Sequence, residues 1–183
     1  MKTIITLALL AIAIPSFTQS NRIYSFSVNG GGVFFPSGDH FSSLATGYNA
    51  GIDIETRKSN FGIFLGSKLN LVKYESIIYI DIEPEYETMT IGEITGGVRW
   101  YWGATDKPNL NLDLGLGIYT GNYLHKINWG VQPGFGANLP FSKRISANLN
   151  VKFNVLEIEE WETYAGVYLG LRYSLNESKK TKK

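Results

Sequence analysis

Leu110-Asn111-Leu112-Asp113-Leu114-Gly115-Leu116-Gly117-Ile118 alternates without a break between aliphatic residues and Asn, Asp or Gly. Successive side chains of an extended strand point to opposite sides, so this stretch is a strand with one aliphatic and one small polar face. As a helix it would scatter its leucines around the whole circumference. Residues 145–155 repeat the pattern, with Ile145, Ala147, Leu149, Val151, Phe153 and Val155 set against Ser146, Asn148, Asn150, Lys152 and Asn154.

The same period of two runs outward in both directions. Thr46, Tyr48, Ile52 and Ile54 oppose Asn49, Gly51, Asp53 and Glu55, and Phe61, Ile63, Leu65, Leu69 and Leu71 oppose Gly62, Phe64, Gly66, Lys68 and Asn70. Residues 127–139 and 164–175 read alike, and residues 88–102 set Ile94, Val98, Trp100 and Trp102 against Glu93, Thr95, Gly97, Arg99 and Tyr101. Two strands are less clean, residues 88–102 and Ile23 to Phe35, the latter blurred by Gly30-Gly31-Gly32. No segment sustains a helical period of 3.6, and the strands number eight.

The connections alternate too. Arg57-Lys58-Ser59, residues 103–109 and Ser142-Lys143-Arg144 are compact and mostly basic turns. The others, residues 36–43, Glu75 to Glu87, Gly121 to Lys126 and Glu157 to Glu162, are expected to be longer loops, two of them strongly acidic. Short turns at one end and longer loops at the other are the layout of an outer-membrane barrel.

Ahead of the strands, Met1-Lys2-Thr3, the apolar run Ile4 to Ile14 and then Pro15, Ser16 and Thr18-Gln19-Ser20 have the order of a secretory signal peptide, assigned to residues 1–20. That run is too short to span a bilayer as a helix, which takes about 20 apolar residues. Residues 21–175 are expected to form one barrel domain and residues 176–183 a basic C-terminal tail. Cysteine is absent, which excludes disulfides, zinc thiolates and a cysteine nucleophile. A net charge of +1 argues against nucleic acid, and the charged fraction is 18% where about 25% is usual.

Alternation alone fits either a soluble barrel with an apolar interior or an inverted barrel facing lipid. The polar face decides between them, because it is built of Gly, Asn, Ser and Thr with scattered charges, where a water-facing surface is rich in Lys, Glu, Asp and Arg. The apolar face carries almost no ionisable group at mid-strand, where Lys or Arg facing lipid costs about 2 to 4 kcal/mol. Without helices, only a closed sheet satisfies the backbone in hydrocarbon. Trp100, Trp102 and Tyr173 near the basic turns, and Phe35, Trp129 and Trp161 near the longer loops, are expected to form two aromatic girdles. The predicted fold is all-β, an eight-stranded antiparallel up-and-down transmembrane barrel.

With the leader, the strand pattern, residues 134–144 (GFGANLPFSKR) and the final strand Tyr168-Leu169-Gly170-Leu171-Arg172-Tyr173-Ser174-Leu175, the sequence resembles the small outer-membrane β-barrel family of OmpA and OmpX type, and particularly Bacteroidetes barrel proteins. The resemblance covers about residues 22–175 and implies a site in the cell outer membrane with both barrel ends in the periplasm. It also implies that the barrel-insertion machinery reads Gly170, Tyr173 and Leu175. Here the strand ends on Leu175 where the family pattern has an aromatic, and the chain continues into the tail.

An eight-stranded barrel is just wide enough inside for side chains. Asp53, Glu55, Glu93 and Asp113 on the inward face balance Lys68, Arg99, Lys152 and Arg172, and buried charges call for partners. A hairpin centred near Asp106 sets Arg99 opposite Asp113, one centred near Asp81 sets Lys68 near Glu93, and Arg172 is expected to reach Glu55 across Ser25.

The functional expectation is a noncatalytic outer-membrane protein with a filled, salt-bridged lumen, whose role is structural or exerted through acidic extracellular loops on an unidentified partner. No catalytic residue, cofactor or metal site is assigned, since Glu83, Glu85 and Glu87 lack the glycine turn of a calcium loop. Two alternatives remain at this point. One is a lipid A-modifying enzyme using His40 or His125 with Ser42 or Ser43, although neither histidine sits in a local motif, and the other is a narrow channel.

Overall fold

The computed structural model describes residues 22–35, 45–75, 86–122, 127–158 and 160–175. These form eight strands: β1 (Ile23–Phe35), β2 (Ala45–Lys58), β3 (Phe61–Glu75), β4 (Tyr86–Trp102), β5 (Asn109–Gly121), β6 (Asn128–Pro140), β7 (Ile145–Ile158) and β8 (Glu160–Ser174). Each pairs antiparallel with its neighbours in sequence, and β8 returns to β1 in the register Ser25↔Ser174 to Phe34↔Ala165, which closes the barrel. No sheet edge is left open, as a spanning sheet requires.

The side chains are arranged inside out. Leu110, Leu112 and Leu114 are 61%, 52% and 55% exposed on the outer wall, while Asn111 and Asp113 between them are both 2% exposed, facing the lumen. The blurred first strand obeys the same alternation, with Ser25, Ser27, Asn29, Val33 and Phe35 inside and Tyr24, Phe26, Val28 and Phe34 outside. Gly31 keeps it in register, because a Cβ there would run into the Val167 carbonyl of β8.

Two expectations are corrected. Phe35 is no girdle residue: it points into the barrel, 2% exposed, and stacks on Tyr164 with ring centroids 4.6 Å apart. Residues 157–162 are no long loop either, since Glu157↔Trp161 and Ile158↔Glu160 continue the β7–β8 ladder to the hairpin tip. Alternating β-formers on both sides of that tip let pairing run on past the expected strand ends. Similarly, Glu75↔Tyr86 extends the β3–β4 ladder into its acidic segment.

One ladder has a gap. Between Val131↔Val155 and Gly134↔Lys152 of β6–β7, the positions Gln132/Asn154 and Pro133/Phe153 do not pair. In an antiparallel ladder both pairs depend on an N–H at residue 133, and proline has none. The Gln132 side chain spans the gap, its Nε2 donating to Asn154 Oδ1 at 2.6 Å. Pro133→Ala supplies the missing donor to a carbonyl at hydrocarbon depth, where an unsatisfied group costs several kcal/mol. The substitution is expected to raise the temperature at which folded protein converts to the slower unfolded form on a gel, and the new amide is expected to resist hydrogen exchange. An unchanged or lower conversion temperature with a freely exchanging amide would refute this account of the gap.

Candidate functional site: the lumen

The inward residues fall into three layers. Nearest the basic turns, Glu55 is the hub. Its Oε2 accepts from Arg99 Nη1 at 2.7 Å and Arg172 Nη2 at 3.0 Å, and its Oε1 accepts from the Tyr101 hydroxyl. Arg99 and Asp113 are directly opposed on β4 and β5, so the guanidinium meets both carboxylate oxygens as a fork, each at 2.6 Å. Asn111 donates to the same carboxylate, and Arg172 Nη1 donates to the Tyr101 hydroxyl at 2.8 Å. Below them Arg57 lies 3.7 Å over the Tyr101 ring and donates to the carbonyls of Ser59 and Gly103, which ties two turns to the floor of the lumen.

The middle layer is built around Glu93. Lys68, directly across the ladder, forms an ion pair with it, Tyr164 donates to its Oε2 at 2.7 Å, and Gln132 donates to its Oε1 at 3.3 Å. Lys152 donates to Gln132 Oε1 at 3.1 Å and stands 3.9 Å from Asp113, at the limit of an ion pair. Asp53 accepts from Asn29 at 2.6 Å, and Asn29 in turn accepts from Asn148. Phe64 projects inward among these groups, with the cations of Arg99 and Lys152 5.1 and 4.8 Å from its ring centre.

The layer at the loop end is apolar. Val33, Phe35, Ala45, Val72, Met89, Ile91, Tyr119, Leu156 and Tyr164 form one buried cluster inside the barrel. Tyr119 packs edge-on to Tyr164 at 6.5 Å and donates its hydroxyl to Asn154 at 3.0 Å. Its ring lies where Gly117 and Gly130 have no side chains, and a Cβ at either would strike it. Alternation puts tyrosines inside, but it gave no sign that an apolar cap would form there, because Val, Met and Ile at inward positions look like outward ones until the register is known.

The structure therefore brings Lys68 to Glu93, Arg99 to both Asp113 and Glu55, and Arg172 to Glu55, while Asp53 is held by an asparagine. Of the insertion-signal residues, Tyr173 and Leu175 face outward at the basic-turn end, and Gly170 sits inside against the Asn29 and Asn148 side-chain oxygens. Among the described residues no group of His, Asp and Glu is arranged to hold a metal. His40, Ser42, Ser43 and His125, like residues 1–20, most of the β3–β4 loop and the tail, lie outside the described residues. So does the Trp161 side chain.

No protein-family model and no curated protein sequence matches this chain. Solved structures do match it. Neisserial surface protein A is 10% identical with a TM-score of 0.53, over 84% of this chain and 99% of that one. The outer membrane protein OprG from Pseudomonas aeruginosa is 10% identical with a TM-score of 0.54, over 83% and 96%. Ail of Yersinia pestis is 12% identical with a TM-score of 0.53, over 85% and 99%. At such identities the likeness is one of fold: a small eight-stranded outer-membrane-type barrel.

Removing the hub carboxylate leaves Arg172 with no acidic partner and Arg99 with one fewer. Glu55→Ala is expected to cost about 3 to 5 kcal/mol, the range for breaking a buried pair. Urea titration in lipid vesicles, followed by tryptophan fluorescence, measures this. Glu157→Ala, at an exposed position, is the control, with an expected effect of about 0.5 kcal/mol or less. Equal effects would show that the network contributes no stability.

Proposed function

We propose that this chain is a noncatalytic outer-membrane barrel whose lumen is filled by side chains and whose role is structural or exerted through its loops. The single observation that carries the proposal is the inverted polarity of the closed sheet, with leucines on the outside and Asn, Asp, Lys and Arg within. Water gives no reason to expose a continuous aliphatic band, whereas hydrocarbon selects one. Outer-membrane lipid is thus the first partner of the protein.

The lumen favours a plug over a pore. Arg99, Tyr101 and Tyr168 are fully buried, and the apolar cluster, which includes the equally buried Tyr119 and Tyr164, covers them from the loop end. An ion crossing it would have to displace paired charges and then shed its water among Phe35, Met89 and Leu156, which is costly. No cofactor or nucleic acid enters this reading.

For orientation, the short turns and both ends of the barrel, Ile23 and Ser174, share one end, which we assign to the periplasm. There Tyr173 and Leu175 are within reach of an insertion machinery working on the last strand, with Gly170 beneath them. Glu75, Asp81, Glu83, Glu85 and Glu87, together with Glu157, Glu159, Glu160 and Glu162, then belong to the extracellular side and disfavour an anionic partner there.

Membrane-extracted protein is expected to migrate faster on electrophoresis unheated than boiled, because a closed barrel resists detergent. Purified protein in planar bilayers is expected to show no steady unit conductance. Identical migration would sink the barrel reading, and regular conductance steps would replace the plug with a channel. Lipid A deacylation lost in His40→Ala or His125→Ala would make the protein an enzyme.

A further inference from the structure

We propose that the turn end of the barrel is a binding surface for anionic phospholipid headgroups. The inference rests on the membrane reading above and adds a chemical preference to it. Lys58 follows the last inward residues of β2, Lys107 lies in the β4–β5 turn, and Lys143 and Arg144 form the β6–β7 turn, all of them exposed. Asp106 is the one acidic residue in these three turns. In an up-and-down barrel the three turns are spaced around the circumference, so the cations make a rim, not a spot.

The rim is held at a defined depth. Lys58 is the ladder partner of Phe61, whose ring packs edge-on to Trp100 at 6.4 Å on the outer wall. Trp102 and Phe141, 53% and 70% exposed, flank the other two turns. Aromatic residues of this kind sit at headgroup level, so Lys58, level with Phe61, and Lys143 and Arg144, two and three positions past Phe141, lie close to the phosphates, with Lys107 in the turn beyond Trp102. The β6–β7 turn is also ordered: Ser142 Oγ accepts from the N–H groups of Arg144 and Ile145, and Phe141 N donates to the Ile145 carbonyl at 2.9 Å. This fixes where Lys143 and Arg144 leave the backbone. Arg57 lies over Tyr101 and donates to two turn carbonyls, and so braces the rim from inside.

The geometry selects a lipid layer over a soluble anion. A small anion would call for donors converging on one point, whereas these diverge around a ring immediately beyond an apolar band. A leaflet carrying negative headgroups is the partner that meets such a ring everywhere at once, each Lys or Arg adding its own attraction.

The test uses the full chain extracted in detergent and exchanged into mixed phosphatidylglycerol and phosphatidylcholine, with retained lipid counted by native mass spectrometry. Native protein is expected to keep phosphatidylglycerol in preference. In the quadruple variant Lys58→Gln, Lys107→Gln, Lys143→Gln and Arg144→Gln the preference is expected to fall about tenfold, and it should also weaken at high salt. Lys73→Gln, at the opposite end, should leave it unchanged. The heat-dependent gel shift is read on every sample. Loss of the shift in native protein defeats the membrane reading itself. A normal shift with equal retention of the two lipids, or a folded variant that still prefers phosphatidylglycerol, overturns the headgroup proposal alone. Native protein that sediments with isolated cell-wall sacculi and shows no lipid preference would overturn it too, by assigning the rim to an anionic wall polymer.

Discussion

Everything in this molecule follows from the need to leave no peptide group unpaired in hydrocarbon, where each one costs several kcal/mol. A sheet meets that need only by closing, and β8 against β1 is where it closes. Closure fixes which side of each strand meets lipid and which is enclosed, so period two becomes a division between exterior and lumen. Pro133 marks where the rule is locally relaxed, and the Gln132 to Asn154 bond spans that interval from inside.

A closed sheet of eight strands also sets the width of its own interior, and the remaining sequence choices answer to that width. Large inward side chains need small neighbours, as Tyr119 needs Gly117 and Gly130. Charges brought inside have lost water, so they are shared: Glu55 serves two arginines and a tyrosine, and Glu93 serves a lysine, a tyrosine and a glutamine. With the apolar cluster above them, these groups make the lumen a packed core whose polarity changes along the barrel axis. That is the physical basis for reading the lumen as a plug.

How much of this the sequence disclosed depended on how local the information was. Alternation in residues 110–118 and 145–155 is a property of neighbours, and so are the hairpin positions that set Arg99 against Asp113 and Lys68 against Glu93. Contacts across the lumen are another matter. Arg172 and Glu55 are separated by β1 alone and can be matched from strand order, but Arg99 reaching Glu55 and Arg172 reaching Tyr101 depend on the curvature of the closed wall and on side-chain length, which no spacing encodes. The inward placement of Phe35 is hidden in the sequence for a related reason. Beyond Gly30-Gly31-Gly32 the phase of the alternation is lost in the sequence, and only pairing with β2 and β8 restores it. The charge of the tip at 157–162 suggests a loop, whereas cross-strand pairing governs where a strand stops.

The seam between β1 and β8 has a consequence in time. It joins Ser25 to Ser174, nearly opposite ends of the described chain, so sealing must await the last strand delivered. A prematurely terminated copy lacking β8 would retain two raw edges, open to proteases or to mispairing with other chains. Completeness is thereby inspected by the topology itself, before any loop has met a partner.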